Sequence, residues 1–454
     1  MQLRSNRVVR AAGALALVGL IAASCGSDDP KGESTGTTAK KSAFVEVKGV
    51  PGVTDAEIRF SVMGTATASN PLGECYLECF ADGIKAYFAH VNANGGIYGR
   101  NLVLDTPKND ELGKSQQVAL EITAAKDSLA TFLVPIISTA YQTFVDKNWP
   151  TYGYLTDHTA MSGKKNLFSS YSVSSFDVPK NDHPFIPKTL GVKKLGVLGY
   201  GVGSSQTCVD QVVNEFKGIY KDIASVVYSN KDLAFGLANG VAPEVTAMKK
   251  AGVQAVFTCM EANGLKTFAQ EMKRQELDAP LVTYSAFEDE FIKANAAVLE
   301  GSIQGTRLRP DFASDSPGSK LFEEWIDKAS PAKVNSTTRQ GWVVADLMFQ
   351  GLKAVGGPFD QQKLIDATNT LENWTADGMI APVDIGRQHV GPTPTDPVTN
   401  GDDPLCFAYT QIKNGKLTFM GAATAEKPWV CWDMPDYEYR DPKPMDVAEM
   451  KLQS

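Results

Sequence analysis

Between residues 57 and 105 the spacing of apolar positions switches from two to 3.6 and back again. Ile58, Phe60 and Val62 alternate with polar or small residues, the period of a strand. Leu77, Phe80, Ala81, Ile84, Tyr87, Phe88 and Val91 then fall at i, i+3, i+4, i+7, i+10, i+11 and i+14, one apolar stripe along a helix of about four turns. Asn94, Gly95 and Gly96 follow, residues that tolerate left-handed backbone angles and end a helix. Leu102 to Leu104 predicts the next strand. A strand, helix, strand unit implies a parallel sheet, and parallel sheets take ligands at the carboxyl ends of their strands.

The same alternation continues. A helix through Val118 and Ile122 and a strand from Thr131 to Ile137 complete a first lobe. After a loop-rich passage containing Tyr152, Tyr154 and Tyr171, strands are predicted at Leu195–Leu198, Val226–Tyr228, Ala255–Thr258 and Leu281–Thr283. Each interval has room for one helix, and Leu265, Phe268, Ala269 and Met272 mark the buried face of the third. The pattern loosens from Gly301. Trp342, Ala345, Phe349 and Leu352 then form another stripe, stopped by Gly356-Gly357-Pro358. In the Pro- and Gly-rich tail, Phe407–Ile412 and Leu417–Met420 flank Asn414-Gly415, a hairpin signal. The fold class is therefore α/β, with two doubly wound parallel-sheet lobes.

At 454 residues, 43% apolar and 21% charged, the chain is long enough to fill both. The amino terminus sets the compartment. Arg4, Arg7 and Arg10 precede the apolar run Ala11–Ala23, which predicts a signal peptide over 1–24, too short to span a bilayer. Ala22-Ala23-Ser24-Cys25 is similar to a bacterial lipobox, in which the cysteine is acylated and becomes the first mature residue. The expected location is outside the cell, lipid-anchored on the outer face of the cytoplasmic membrane; plain secretion with cleavage nearby is the alternative. Residues 25–55, rich in Gly, Ser, Thr and charge, suggest a flexible tether. The formal charge of −8 becomes −11 when the three leader arginines are removed, which argues against a nucleic-acid partner.

Six cysteines remain, Cys75, Cys79, Cys208, Cys259, Cys406 and Cys431, an even number that suggests disulfides in an exported protein. Fifteen connectivities are open. The hairpin would bring Cys406 near Cys431, and Cys208 and Cys259 lie just beyond neighbouring strands. That leaves Cys75 with Cys79, a spacing that a regular helix accommodates poorly unless it begins irregularly. Zinc would be the rival use of this pair, but no second close pair or matching histidines accompany it, so neither metal nor cofactor is expected. Gly199-Tyr200-Gly201-Val202-Gly203 invites a dinucleotide reading, which fails because Ser204 stands at the sixth position.

The run Gly83-x-Lys85-Ala86-Tyr87-Phe88 with Val91-Asn92-Ala93-x-Gly95-Gly96-Ile97-x-Gly99-Arg100-x-Leu102 resembles the first helix and turn of type I periplasmic binding proteins of the branched-chain amino acid (Leu/Ile/Val) type. The resemblance covers about Asp55 to Met420, and the insert Gly391–Asp403 departs from it. It implies two lobes joined by a hinge of three crossings, with 56–173 and 286–390 in the first and 174–285 and 391–454 in the second. It also implies a monomer that binds a small-molecule ligand for an ABC transporter permease, without catalysis. The sequence agrees, since no H-E-x-x-H, G-x-S-x-G or P-loop is present. A ligand-sensing receptor of the same fold and an exported enzyme are the alternatives.

The hydroxyls of Ser138 and Thr139, where a helix would begin after the strand at 131–137, can hold a carboxylate or other acceptor; by the same resemblance Ser138 holds the ligand carboxylate, Thr156 is a second such position, and Ser204 or Ser205 is the contact from the second lobe. From the residues alone, Ser138 reads first as an N-cap. The family places a glutamate after the last strand of the second lobe to neutralise an amino group, whereas this chain reads Thr283-Tyr284-Ser285-Ala286-Phe287. Glu261, after the strand ending near Cys259, is the nearby carboxylate, and an α-amino acid is one candidate among amides, urea and carboxylates. Tyr141, Tyr154, Tyr171, Tyr200 and Phe287 fall at strand ends or in the loops beyond, where aromatic side chains line apolar clefts.

Overall fold

A computed structural model describes residues 42–449 except 73, 156–160, 162, 171–181, 286–287, 314, 330–333, 390–404 and 433–438. Residues 1–24, where a signal peptide is expected, Cys25 and the insert Gly391–Asp403 lie outside the described residues, as does the expected first crossing near 173.

The first sheet is built from β1 (Glu57–Gly64), β2 (Asn101–Leu104), β3 (Lys108–Asn109), β4 (Ala130–Val134), β5 (Thr151–Gly153) and β6 (Leu167–Ser169). Its order is β2-β1-β4-β5-β6, with β3 beside β1, and all pairs are parallel. Between them run α1 (Leu77–Ala93), α2 (Ser115–Ala125) and α3 (Tyr141–Asp146). β4 stops at Val134, short of the expected Ile137, because Pro135 has no N–H to give the ladder; a single 3-10 turn, Ser138–Ala140, precedes α3. α1 buries the expected stripe, with Phe88 against Phe60 at 5.3 Å between ring centroids. Its helical backbone starts at Leu77, so Cys75 stands outside it and can reach Cys79.

Residues 42–55, expected to belong to a flexible tether, are held in place. Ser42 N–H donates to Gly95 O and Val45 N–H to Tyr98 O, at 3.2 and 3.3 Å. The cause is Arg100, which is buried and needs acceptors. It donates to the carbonyls of Thr54, Val45 and Tyr98, and its guanidinium lies 4.5 Å from the Phe44 ring. Residues 42–55 are thereby strapped to the turn after α1.

The second sheet takes β7 (Lys194–Tyr200), β8 (Ser225–Leu233), β9 (Ala255–Cys259), β10 (Leu281–Thr283) and β11 (Ile303–Thr306), all parallel. Its helices are α4 (Asp182–Leu190), α5 (Gly203–Lys217), α6 (Ala242–Ala251), α7 (Ala262–Arg274) and α8 (Asp289–Leu299). Because β11 pairs with β10, residues 289–306 belong to this sheet, and the return expected at 286 comes after Thr306, with Leu308 already in the first core. β11 is buried on both faces and so shows no alternation.

The chain then adds α9 (Pro317–Ala329), α10 (Ser336–Val355) and α11 (Gln361–Thr368) to the first lobe. α10 lies against α1 at two glycines: a Cβ on Gly83 would sit 1.9 Å from Thr338 O, and one on Gly341 2.0 Å from Phe80 O. Finally β12 (Leu405–Lys413), β13 (Lys416–Phe419), β14 (Trp429–Trp432) and β15 (Lys443–Met445) extend the second sheet antiparallel, in the order β15-β14-β12-β11-β10-β9-β7-β8 with β13 on β12. Asn414 and Gly415 both take positive φ, 53° and 71°, as a two-residue I′ hairpin requires. The disulfides are Cys75–Cys79, Cys208–Cys259 and Cys406–Cys431, the last joining β12 to β14 across a direct pair. No described helix is long and apolar enough to cross a membrane.

Candidate functional site

The carboxyl ends of both sheets line one cleft of about 340 Å³. The first lobe supplies Val134, Pro135 and Ile136 beyond β4, Tyr154 and Leu155 beyond β5, and Leu72 and Tyr76 from the loop before α1. This wall is apolar and aromatic. The second lobe supplies Tyr200 from the end of β7, Ser204, Ser205, Cys208 and Gln211 along α5, and Thr258 to Glu261 from the end of β9. Tyr284 and Ser285 follow β10, Gly305 to Arg307 close β11, and Asp182 and His183 open α4.

Hydrogen bonds cross between the lobes at the rim. Asn263 Nδ2 donates to Leu72 O, Ala262 N–H donates to Glu74 Oε1 at 3.3 Å, and Ser336 N–H donates to Glu288 Oε1 at 2.7 Å. Glu74 is pushed up to about 7, first by burial and further by Glu261 and Glu288. Hydrogen bonds from Tyr76 and Ala262 oppose that rise. No described group of three or more His, Cys, Asp or Glu could hold a metal.

Glu261 caps α7. Its Oε1 accepts from Gly264 N–H and its Oε2 from the Tyr200 hydroxyl, both at 2.9 Å. Burial raises its carboxyl above the ordinary value, and these hydrogen bonds pull the other way. A Cβ at residue 264 would lie 2.4 Å from the Tyr200 oxygen, so the glycine makes the bridge possible. Ser205 is also engaged, since its Oγ accepts from Tyr200 N–H and donates to Cys259 O, each at 2.7 Å. Two further buried groups connect α4 to its neighbours. Asp182 Oδ2 accepts from Tyr284 and Tyr409 hydroxyls at 2.9 and 3.1 Å, and His183 Nδ1 meets Glu215 Oε2 at 2.5 Å.

Of the residues singled out from sequence, Tyr154, Tyr200, Ser204 and Glu261 come together in this cleft. Ser138 and Thr139 do not line it; they sit in the 3-10 turn, partly and largely exposed, one proline-led segment beyond the strand end. Tyr141 is buried in the core beneath. Thr156, Tyr171 and Phe287 lie outside the described residues. Sequence reasoning missed Tyr76, Asp182, Gln211 and Arg307. Arg307 could have been found, because it follows a strand, but β11 itself carried no period. Asp182 and Gln211 gave no signal, since both belong to helices whose polar residues usually face water.

A profile of the family described as periplasmic binding protein matches residues 67–398. This chain is a periplasmic binding protein. The binding protein's fold recurs in a fatty acid ABC transporter substrate-binding protein from Thermomonospora curvata, at 17% identity and TM-score 0.63 over 91% of this chain and 97% of that one. It is similar to an ABC transporter solute-binding protein from R. palustris in complex with 4-hydroxybenzoate, at 16% identity and TM-score 0.61 over 80% and 95%. It is similar also to a leucine binding protein from Thermotoga maritima, at 13% identity and TM-score 0.63 over 80% and 98%. Among curated proteins none matches the sequence. At such identities these likenesses concern the fold, and the two-lobed α/β architecture of the binding protein agrees with them.

Proposed function

We propose that this periplasmic binding protein captures a small organic solute by closure of its two lobes and hands it, unchanged, to an ABC importer. The observation that carries this reading is the cleft itself, a space of about 340 Å³ at the strand ends of both sheets, bridged by hydrogen bonds between the lobes. The apolar wall of Val134, Ile136 and Leu155 suits a hydrocarbon or aromatic body, with Tyr76 and Tyr154 against its faces. The polar groups face it from the second lobe. A fatty acid, 4-hydroxybenzoate and leucine, named for the structural relatives, each join an apolar body to a polar end, which supports a solute of that shape here. Tyr154, Tyr200, Ser204 and Glu261 are the side chains proposed to enclose it, and Thr156, Tyr171 and Phe287 are proposed as further ligand contacts. Acylation at Cys25 would hold the monomer at the membrane beside its permease.

Tryptophan fluorescence, thermal melting and small-angle scattering against a solute panel test the reading. Closure predicts a raised Tm and a smaller radius of gyration with the right solute. A protein whose stability and compactness no small molecule changes would reject it.

A further inference from the structure

The floor of the cleft in the second lobe is assembled around one carboxylate. Gly305 has no side chain, and a Cβ there would lie 2.7 Å from the Tyr409 ring and 3.1 Å from the Tyr284 ring. Both rings therefore come in far enough for their hydroxyls to donate to Asp182 Oδ2. Asp182 Oδ1 is left buried with no hydrogen-bond partner. On α5, which runs back from the cleft, Gln211 lies one turn before Glu215, whose carboxylate meets His183 beside Asp182. Gln211 is 6% exposed, lines the cleft, and its Nε2 has no partner either. Around them, the Tyr284 ring packs on Phe407 at 5.7 Å, and the Arg307 guanidinium lies 6.0 Å from that same ring.

An unpaired buried carboxylate oxygen and an unpaired buried amide nitrogen are costly to leave unmet. One lacks a donor and the other an acceptor. We propose that Asp182 and Gln211 form a subsite in the second lobe that reads a nitrogen-bearing head group on the solute. An N–H of the solute donates to Asp182 Oδ1, and an adjacent carbonyl or carboxylate oxygen accepts from Gln211 Nε2. Amides and α-amino acids have this pair of groups; a plain carboxylate or an alcohol does not. Glu261 is not needed for it, being held by Gly264 and Tyr200. The inference rests on the solute-binding reading above and specifies the head that the cleft selects.

Mass spectrometry of whatever is released on denaturing natively purified protein tests it, beside Asp182→Asn and Gln211→Leu prepared in the same way. The result expected is a solute bearing an N–H next to an oxygen acceptor, retained at least tenfold less by each variant. Thermal melting with phenylacetamide, phenylalanine and phenylacetate gives the second readout: a nitrogen-bearing probe raises Tm at concentrations at least tenfold lower than phenylacetate does. Asp182→Asn also disturbs two tyrosine hydroxyls, so Gln211→Leu decides if that variant does not fold. A released solute with no N–H, equal response to phenylacetate, no response to either nitrogen-bearing probe, or unchanged retention in Gln211→Leu would overturn the subsite. Tight holding of a solute without N–H would do so while leaving solute binding itself intact.

Discussion

If the lobes close on a solute as proposed, Glu74 makes that closure depend on pH. It lies in the loop pinned by Cys75–Cys79 and reaches across to the first N–H of α7, so its surroundings exist only when the lobes meet. Facing it are Glu261 at the cap of α7, Glu288 before α8, and the hydroxyls of Tyr76 and Tyr200; no described cation is among the groups that shift it. Its pKa rises from 4.5 to about 7 here, whereas in an open form the carboxyl regains water and the ordinary value. The closed form therefore binds a proton that the open form releases. Closure gains as pH falls from about 7 towards the ordinary carboxylate range and is indifferent to pH above that. Linkage for one such group makes affinity on the order of tenfold tighter at about pH 5.5 than at about pH 7.5, after a discount for its partial exposure. Burial raises Glu261 and Glu288 as well, in the same sense. Titration calorimetry with a solute that does not itself ionise checks this, and Glu74→Gln should bind with a much flatter pH profile. Affinity that weakens on acidification, or a slope left intact by Glu74→Gln, would refute the reasoning.

Gly83→Ala or Gly341→Ala drives a methyl into a helix backbone at about 2 Å. Either should cost roughly 3 kcal/mol or more in denaturant unfolding, and neither should be rescued by solute unless it still folds. Replacing Cys208 and Cys259 by serine opens a loop spanning 51 residues and should lower stability by about 4 kcal/mol on the chain-entropy account, read as a lower Tm. Tyr200→Phe leaves the buried Glu261 carboxylate one donor short, a loss of about 1–3 kcal/mol with weakened solute binding. Arg100→Met removes the donors that hold Val45 and Thr54, so amide exchange at Ser42 and Val45 should quicken while the sheet core stays protected.

The architecture was legible wherever one face of an element meets water. α1, α7 and α10 each bury a stripe at helical spacing, and Ile58, Phe60 and Val62 keep the two-residue period of a sheet. β11 escaped because its residues are all buried, and with it went the true point of return to the first lobe. The strap at 42–55 escaped for a different reason: its composition is that of a tether, and only the acceptor demand of Arg100 fixes it. At the cleft, strand-end logic picked out four residues that line it, Tyr154, Tyr200, Ser204 and Glu261. It misplaced Ser138 relative to the cleft because Pro135 ends β4 early. Asp182 and Gln211 could not be seen, since a polar helix residue is ordinary until the tertiary fold turns it inward.

The close meeting of Gly83 with Gly341 ties the first helix of the lobe to one translated some 250 residues later. Until that late helix arrives, the earliest sheet has one apolar flank uncovered, and the second sheet likewise waits for β12 beside β11. Neither half can be completed as the chain emerges. Such long-range closure slows folding and leaves sticky surface open meanwhile, a cost inherent in the way the two halves are interleaved.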